Sequence, residues 1–149
     1  MTSIDGGCQC GAVRYAVSVE KITGYACHCL ECQKQSASAF GLSVPVPARH
    51  FRVDGAMKVY RRPTDSGAET DCWFCETCGT RLYHQGADET DYVTIKGGSL
   101  DRPALLNPIA HIWVKRKQPW VLLPPDVPAH PTQPDDLDAW RESLMSSAD

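Results

Sequence analysis

The sequence has few of the aliphatic and aromatic residues that fill a protein core. Leu, Ile, Val and Phe make up 29 of its 149 residues, just under a fifth. A fraction this low is typical of disordered chains only when the net charge is also high, and here the formal net charge is −3. The length suits one domain. We therefore expect a folded domain with a thin core, and some other interaction that stabilises it.

Three further features that the sequence lacks narrow the range of possible functions. The first residues contain no basic segment followed by an apolar run, so no secretory signal is predicted. No stretch approaches the ~18 apolar residues of a membrane span, which predicts no membrane partner. The pI of 5.9 argues against a nucleic-acid partner, because such proteins usually carry a strong basic excess. We expect a cytoplasmic protein, in whose reducing surroundings disulfides are disfavoured.

The body of the chain has the pattern of short strands separated by glycine and proline. Apolar residues alternate with polar ones at residues 13–19 and again at 42–46, which is the period of a half-buried strand. Further strands are predicted at residues 57–61, 80–85, 92–96 and 110–115, and a short helix at 31–39. The fold class is therefore predicted to be mainly β, with small helical pieces.

The C-terminal part has a different composition. Residues 124–136 carry five of the eleven prolines, which predicts an extended linker. After it, Leu137, Trp140, Leu144 and Met145 have helical spacing and follow Pro134 and two aspartates, as at a helix start. We predict a domain at residues 1–123, followed by a proline-rich linker and a helix at 124–149 that packs on the domain or extends it.

Seven of the eight cysteines fall in three tight groups. The groups are CxC (Cys8, Cys10), CxCxxC (Cys27, Cys29, Cys32) and CxxC (Cys75, Cys78). Ligands two or three positions apart can chelate one ion from a single turn, and thiolates at this spacing suit zinc. A disulfide framework would spread its cysteines to join distant loops. The grouping therefore predicts metal binding.

The numbers of cysteines predict two zinc ions of different kinds. Cys8, Cys10, Cys75 and Cys78 would form a closed four-thiolate site, with Gly11 and Gly79 allowing the tight turns that follow the two pairs. A structural zinc supplies about 10–16 kcal/mol of apparent binding energy, comparable to the stability of a whole domain. This ion would therefore compensate for the thin core.

The remaining group, Cys27, Cys29 and Cys32, leaves a second zinc one ligand short. Three protein ligands with an open position are the pattern of a catalytic zinc. An ion with three thiolates is better suited to binding and deprotonating a thiol than to making hydroxide from water. Alternatively, His28, Cys72 or another residue fills the fourth position and closes the site. A zinc deaminase is excluded, because its His-x-Glu and Pro-Cys-x-x-Cys motifs are missing.

Several segments together resemble the glutathione-dependent formaldehyde-activating enzyme family, which includes centromere protein V-like proteins. The matching segments, in the family's order and within about residues 6–125, are GCQCGAVRY at 7–15, CHCLECQKQS at 27–36, FCETCGT at 74–80, GSLD at 98–101, HIW at 111–113 and PW at 119–120. The chain departs from the family at Ala37, where glycine is common, and at Cys72, which lies outside the pattern.

The resemblance implies an Mss4-like fold of several coiled antiparallel sheets organised around zinc. It implies that Cys8, Cys10, Cys75 and Cys78 hold a structural zinc and that Cys27, Cys29 and Cys32 hold a catalytic one. Lys34, Ser36 and His111 lie in matched segments and are candidates to bind substrate.

The resemblance also implies a reaction. In the family's prototype, glutathione and formaldehyde combine to give S-hydroxymethylglutathione. We therefore expect a zinc-dependent carbon–sulfur lyase or synthase acting on a small thiol such as glutathione. The alternative is a non-catalytic zinc-binding module for a protein partner or a thiol ligand.

Overall fold

The computed structural model describes residues 2–64 and 67–146. Residue 1 of the predicted domain (1–123) and residues 147–149 of the predicted linker and helix (124–149) lie outside the described residues. Within the described ranges the chain forms ten strands and two helices. The strands are β1 (Thr2–Gly7), β2 (Arg14–Val19), β3 (Tyr25–Cys27), β4 (Gly41–Pro47), β5 (Phe51–Asp54), β6 (Met57–Pro63), β7 (Glu69–Cys75), β8 (Arg81–Gly86), β9 (Tyr92–Lys96) and β10 (His111–Ile112). The helices are α1 (Leu30–Ser36) and α2 (Leu137–Ser146).

The strands form two sheets. A three-stranded sheet has the order β1-β2-β5, and a seven-stranded sheet has the order β10-β3-β4-β9-β8-β7-β6. Every pairing is antiparallel except that of β10 with β3. The predicted mainly β class with short helical pieces is confirmed.

The main core lies between the two sheets and consists largely of small aliphatic side chains. The alternating residues Val13, Tyr15, Val17 and Val19 are all buried. They belong to one cluster with Val44 and Val46 of β4, Leu82 of β8, and Val93 and Ile95 of β9. Valine buries less apolar area than a larger side chain, so each of these positions contributes a modest hydrophobic stabilisation. The core therefore has the thin character that the composition indicates.

Two predicted elements differ from the structure. The strand predicted at 110–115 is limited to His111–Ile112, because Trp113 has a φ of +58° and a 3-10 turn follows at Val114–Arg116. The helix predicted at 31–39 ends at Ser36, because Ala37 takes the left-handed conformation with a φ of 51°. That conformation lets the Ala37 N–H bond back to the carbonyls of Gln33 and Lys34, which terminates the helix.

The proline-rich segment runs beside β10 and ends in the predicted helix. Ala129 pairs with His111 in parallel, and the N–H of His130 donates to the carbonyl of His111 at 2.8 Å. Asp136 caps α2 through its carboxylate, which accepts from the Ala139 N–H at 3.0 Å. In the described part of the chain, neither helix has the length and apolar character needed to cross a membrane.

Helix α2 covers the face of the seven-stranded sheet that points away from the main core. Trp140 packs on Tyr25 with ring centroids 4.8 Å apart. The Arg141 guanidinium donates to the hydroxyls of Tyr25 and Tyr92, at 3.3 and 3.2 Å. Leu144 is buried in a second apolar cluster, which also contains the cysteines of the CxCxxC group.

Candidate metal centres

The first cluster brings together four cysteines from two hairpin ends. Cys8 and Cys10 lie in the loop between β1 and β2, Cys75 ends β7, and Cys78 lies in the turn before β8. Their four sulfurs all lie within 4.8 Å of one another. Gly11 and Gly79 have φ angles of +83° and +80°, so both tight turns use the left-handed conformation that glycine permits.

Backbone groups stabilise negative charge on these sulfurs. The Val13 N–H donates to Cys8 Sγ at 3.2 Å, and the N–H groups of Thr77 and Cys78 donate to Cys75 Sγ at 3.4 and 3.5 Å. The hydroxyl and the N–H of Thr80 donate to Cys78 and lower its pKa to about 5. Such N–H···S bonds are the outer-shell contacts that orient thiolate ligands.

The second cluster lies where β3 meets α1. Cys27 is the last residue of β3, Cys29 is the N-cap of α1, and Cys32 lies one turn later. Their sulfurs lie within 4.8 Å of one another. Cys29 Sγ accepts the Cys32 N–H at 3.3 Å, so the capping bond holds the second and third sulfurs on the same side of the helix start.

The three sulfurs compete for protons. The pKa of Cys29 is lowered to about 2, because the thiols of Cys27 and Cys32 donate to its sulfur. The pKa of Cys27 is raised, because its proton is shared with Cys29 and Cys32 and because the side chain is buried. With protons alone to neutralise them, the three sulfurs do not all ionise near neutral pH.

The donor sets of both clusters suit a soft divalent ion such as zinc. Zinc–sulfur bonds of about 2.3 Å require sulfurs grouped at this spacing, and the ion replaces the protons that the thiols otherwise share. Both clusters could therefore hold a metal ion.

The cluster of Cys27, Cys29 and Cys32 gains no fourth donor from the described His, Cys, Asp and Glu side chains. Both residues that the sequence offers for this role are bonded elsewhere. His28 Nε2 lies 2.9 Å from His111 Nδ1. Cys72 Sγ accepts from Gln35 Nε2 at 3.5 Å and donates to the Thr70 carbonyl at 3.8 Å.

The two histidines form a buried neutral pair. His28 is completely buried, and its pKa is lowered to about 4 by burial and by the neighbouring His111 and Lys117. Burial also lowers the pKa of His111. The remaining nitrogen of His28, Nδ1, is buried without a hydrogen-bond partner among the described residues.

The other predicted substrate residues lie on the outer side of α1. Lys34 and Ser36 are exposed, and the Ser36 hydroxyl donates to the Gln33 carbonyl at 3.4 Å. Lys34 lines an open groove of about 530 Å³ together with Leu30, Ala37 and Trp120. The structure thus places His111 in the buried pair, and Lys34 and Ser36 at the surface.

Two residues beside the second cluster were missed by the sequence reasoning. Gln33 donates from Nε2 to the carbonyls of His28 and Arg116, at 2.8 and 2.9 Å, and so ties the cysteine loop to the segment after β10. Lys96 ends β9 close to Cys32, whose pKa its ammonium lowers, although other influences raise that pKa overall. The contact of Gln33 with Arg116 and that of Lys96 with Cys32 join residues more than sixty positions apart, which local spacing does not reveal.

Fold and clusters define a class of protein: a small, mainly β domain built around one four-cysteine and one three-cysteine site. The chain belongs to the glutathione-dependent formaldehyde-activating enzyme family, whose sequence model matches residues 3–116. The predicted membership and the Mss4-like fold class are confirmed. Membership supports a role in glutathione-dependent activation of formaldehyde.

A solved structure supports the fold. A Rhodobacter sphaeroides protein is similar over 66% of this chain and 88% of its own, with 23% identity and a TM-score of 0.50. No curated protein gives a significant match.

Proposed function

We propose that the chain is a zinc-dependent carbon–sulfur lyase or synthase that acts in the cytoplasm on an adduct of a thiol and an aldehyde. Glutathione and formaldehyde are the proposed substrates, with S-hydroxymethylglutathione as the adduct. The observation that carries the proposal is the three-cysteine cluster, to which the described side chains add no fourth donor. It is supported by the family match, which covers both cysteine clusters.

The two clusters have different roles in this proposal. Cys8, Cys10, Cys75 and Cys78 hold a structural zinc that joins two hairpins. Cys27, Cys29 and Cys32 hold the second zinc at the reaction site. A zinc ion there would supply a Lewis acid that lowers the pKa of a thiol in its fourth position.

The reaction forms one carbon–sulfur bond, between the thiol sulfur and the aldehyde carbon. The thiol proton ends on the aldehyde oxygen, and the reverse direction breaks the same bond. A free thiol has a pKa near 8.5, so only a small fraction is ionised at neutral pH. A site that favours the thiolate and holds the aldehyde beside it therefore accelerates both directions.

The surroundings of the second cluster suit this chemistry. Tyr25, Ile112 and Leu144 are buried against it and keep water from one side. In a dry site the charge interactions of the thiolate are stronger than in water. The pair of His28 and His111 is neutral, so it adds no positive charge that would compete with the metal ion for the sulfurs. Lys34, Ser36 and His111 remain the predicted substrate contacts.

The test is an exchange measurement by NMR on an equilibrium mixture of glutathione, formaldehyde and S-hydroxymethylglutathione. The zinc-loaded protein should raise the exchange rate above that in buffer. Cys29→Ser should abolish the increase, whereas Cys72→Ser should retain it, because Cys72 belongs to neither cluster. No increase with the intact protein would indicate the non-catalytic zinc module instead.

A further inference from the structure

The register of the seven-stranded sheet places three basic side chains on the same face as the second cysteine cluster. Cys27 pairs with Gly41, and Ser43, two residues further along β4, pairs with Lys96. Side chains two residues apart in a strand, or directly paired across strands, lie on one face. Cys27 and Lys96 therefore share a face.

The same reasoning extends across the sheet to β6. His84 pairs with Thr94, which lies two residues before Lys96. Cys72 pairs with His84, and Thr70, two residues before Cys72, pairs with Arg62. The face thus carries a basic row, defined as Lys96, His84 and Arg62, that leads away from the cysteine cluster.

Lys96 and the cysteine cluster border one small space. A Cβ atom added to Gly41 would lie 3.4 Å from Lys96 Nζ and 3.7 Å from Cys32 Sγ. Glycine at this position leaves open the gap between the ammonium group and the sulfur. A ligand whose sulfur binds at the cluster would therefore meet Lys96 within its first few atoms.

The basic row has no acidic partner among the residues that the structure describes. Within residues 2–64 and 67–146, no carboxylate forms an ion pair with Lys96 or Arg62. Arg61, the neighbour of Arg62 on the opposite face, is by contrast paired with Asp71 at 2.8 Å. In a chain of net charge −3, to which thiolates add further negative charge, an unpaired basic group on one face favours an anionic ligand.

Buried nitrogens along the row lack partners. His84 is 9% exposed. In the described part of the chain, neither His84 Nε2 nor Arg62 Nε has a hydrogen-bond partner. Unpartnered buried polar atoms are uncommon in folded proteins and call for an explanation. The pKa of His84 is lowered to about 2 by burial and by Lys96, Arg62 and Arg81, which agrees with an excess of positive charge here.

We propose that Lys96, His84 and Arg62 form an extended subsite for the carboxylate groups of the thiol substrate, in which Lys96 lies nearest the sulfur and Arg62, three strands away, lies farthest from it. This inference rests on the proposed function for the position of the sulfur, at Cys27, Cys29 and Cys32. The substrate class is then a thiol that carries a carboxylate a few bonds from its sulfur. Lysine and arginine supply charge-assisted hydrogen bonds to such a group, and the histidine supplies a neutral one.

The experiment separates the carboxylate subsite from the thiol site by using a ligand without a thiol. S-Methylglutathione has two carboxylates and no free thiol, and its diethyl ester has the same backbone without these charges. Binding of both to the zinc-loaded full chain is measured by calorimetry. We expect S-methylglutathione to bind about ten-fold or more tightly than the ester, and Lys96→Met to abolish this preference.

Matched variants exclude a general loss of charge or of folding. Arg62→Met should weaken S-methylglutathione binding, whereas Arg61→Met on the opposite face should not. Lys96→Arg should retain the preference for the acid over the ester. Zinc content and circular dichroism should be unchanged in all four variants, because these side chains hold no metal.

The proposal would be overturned if the intact protein bound the acid and the ester equally, or bound neither. It would also be overturned if Lys96→Met and Arg61→Met had the same effect. These outcomes do not depend on thiol binding or turnover. Failure of the proposed function, seen as no acceleration of exchange with glutathione and formaldehyde, is therefore distinguishable from failure of the subsite.

Discussion

The sulfurs of Cys10 and Cys75 lie 3.8 Å apart, although 65 positions separate them in the chain. Cys10 belongs to the hairpin of the three-stranded sheet, and Cys75 belongs to the seven-stranded sheet. A metal ion bound between them would therefore join the two sheets directly. Because valine is the most frequent residue in the core between the sheets and buries little area, this connection should have a large effect on stability.

Replacing Cys75 with serine should unfold the domain. A structural zinc ion bound there would contribute about 10–16 kcal/mol to folding, and the net stability of a domain is typically about 5–15 kcal/mol. Cys29→Ser should remove one ion and leave the fold intact. Circular dichroism and metal analysis of the two variants check both statements. Equal unfolding of both variants would contradict the division into structural and reactive sites.

The packing of α2 on the second cluster gives a second prediction. Leu144 is 4% exposed and packs in the cluster that contains Cys27. Leu144→Ala should lower the free energy of unfolding by about 2–4 kcal/mol, because it leaves a cavity. Leu122, which is 90% exposed, is the control, and Leu122→Ala should change stability by about 0.5 kcal/mol or less. Urea unfolding measures both, and similar losses would show that α2 does not stabilise the domain.

The left-handed residue at the end of α1 gives a third prediction. Ala37 has a φ of 51°, a conformation that is strained for a residue with a Cβ. Ala37→Gly should raise the free energy of unfolding by about 0.5–1 kcal/mol, because relief of about 1–2 kcal/mol of left-handed strain is partly offset by the larger backbone entropy of unfolded glycine. Ser38→Gly is the control, because Ser38 is not among the described residues with positive φ, and it should be neutral or destabilising. A loss of stability at Ala37 equal to that at Ser38 would disprove this explanation of the helix end.

The buried His84 gives a dependence of stability on pH. Its pKa is lowered to about 2 in the folded chain by burial and by nearby basic groups, whereas an unfolded histidine has a pKa near 6.5. Below about pH 6.5 the unfolded state therefore binds a proton that the folded state excludes. Above this pH both states are neutral at His84 and the residue adds no pH dependence; as the pH falls below it, the free energy of unfolding decreases by about 1.4 kcal/mol per pH unit.

This dependence is measured by comparing urea unfolding of the intact protein and of His84→Gln at pH 7, 6 and 5. The comparison removes effects that both proteins share, such as protonation of the cysteines. The intact protein should lose more stability than the variant over this range. Parallel pH profiles, or a histidine NMR signal of His84 that titrates near pH 6.5, would be inconsistent with the environment described.

Sequence patterns predicted β2 and β4, where the alternation extends over five or more residues, and missed β7, which has no such alternation. Residues 13–19 and 42–46 alternate and form β2 and β4. β7 (Glu69–Cys75) carries mixed polar and aromatic residues and has no simple period. It is a strand because it pairs with β6 on one side and β8 on the other, so tertiary hydrogen bonding outweighs local preference.

The cysteine groups were predictable because metal ligands have strict spacing, and both clusters assemble as the spacing indicates. Lys96 was not predictable, because at the end of β9 it has the pattern of an ordinary surface lysine. Its position beside Cys32 depends on the pairing of β9 with β4, which no local motif encodes.

The central claim is that the chain has one closed metal site and one open to a thiol. It is tested most directly by ¹¹³Cd NMR of the protein loaded with two cadmium ions. The account predicts two resonances, of which one shifts when glutathione is added and is absent in Cys29→Ser, while the other is unchanged. A single resonance, or two resonances that both ignore glutathione, would contradict the claim.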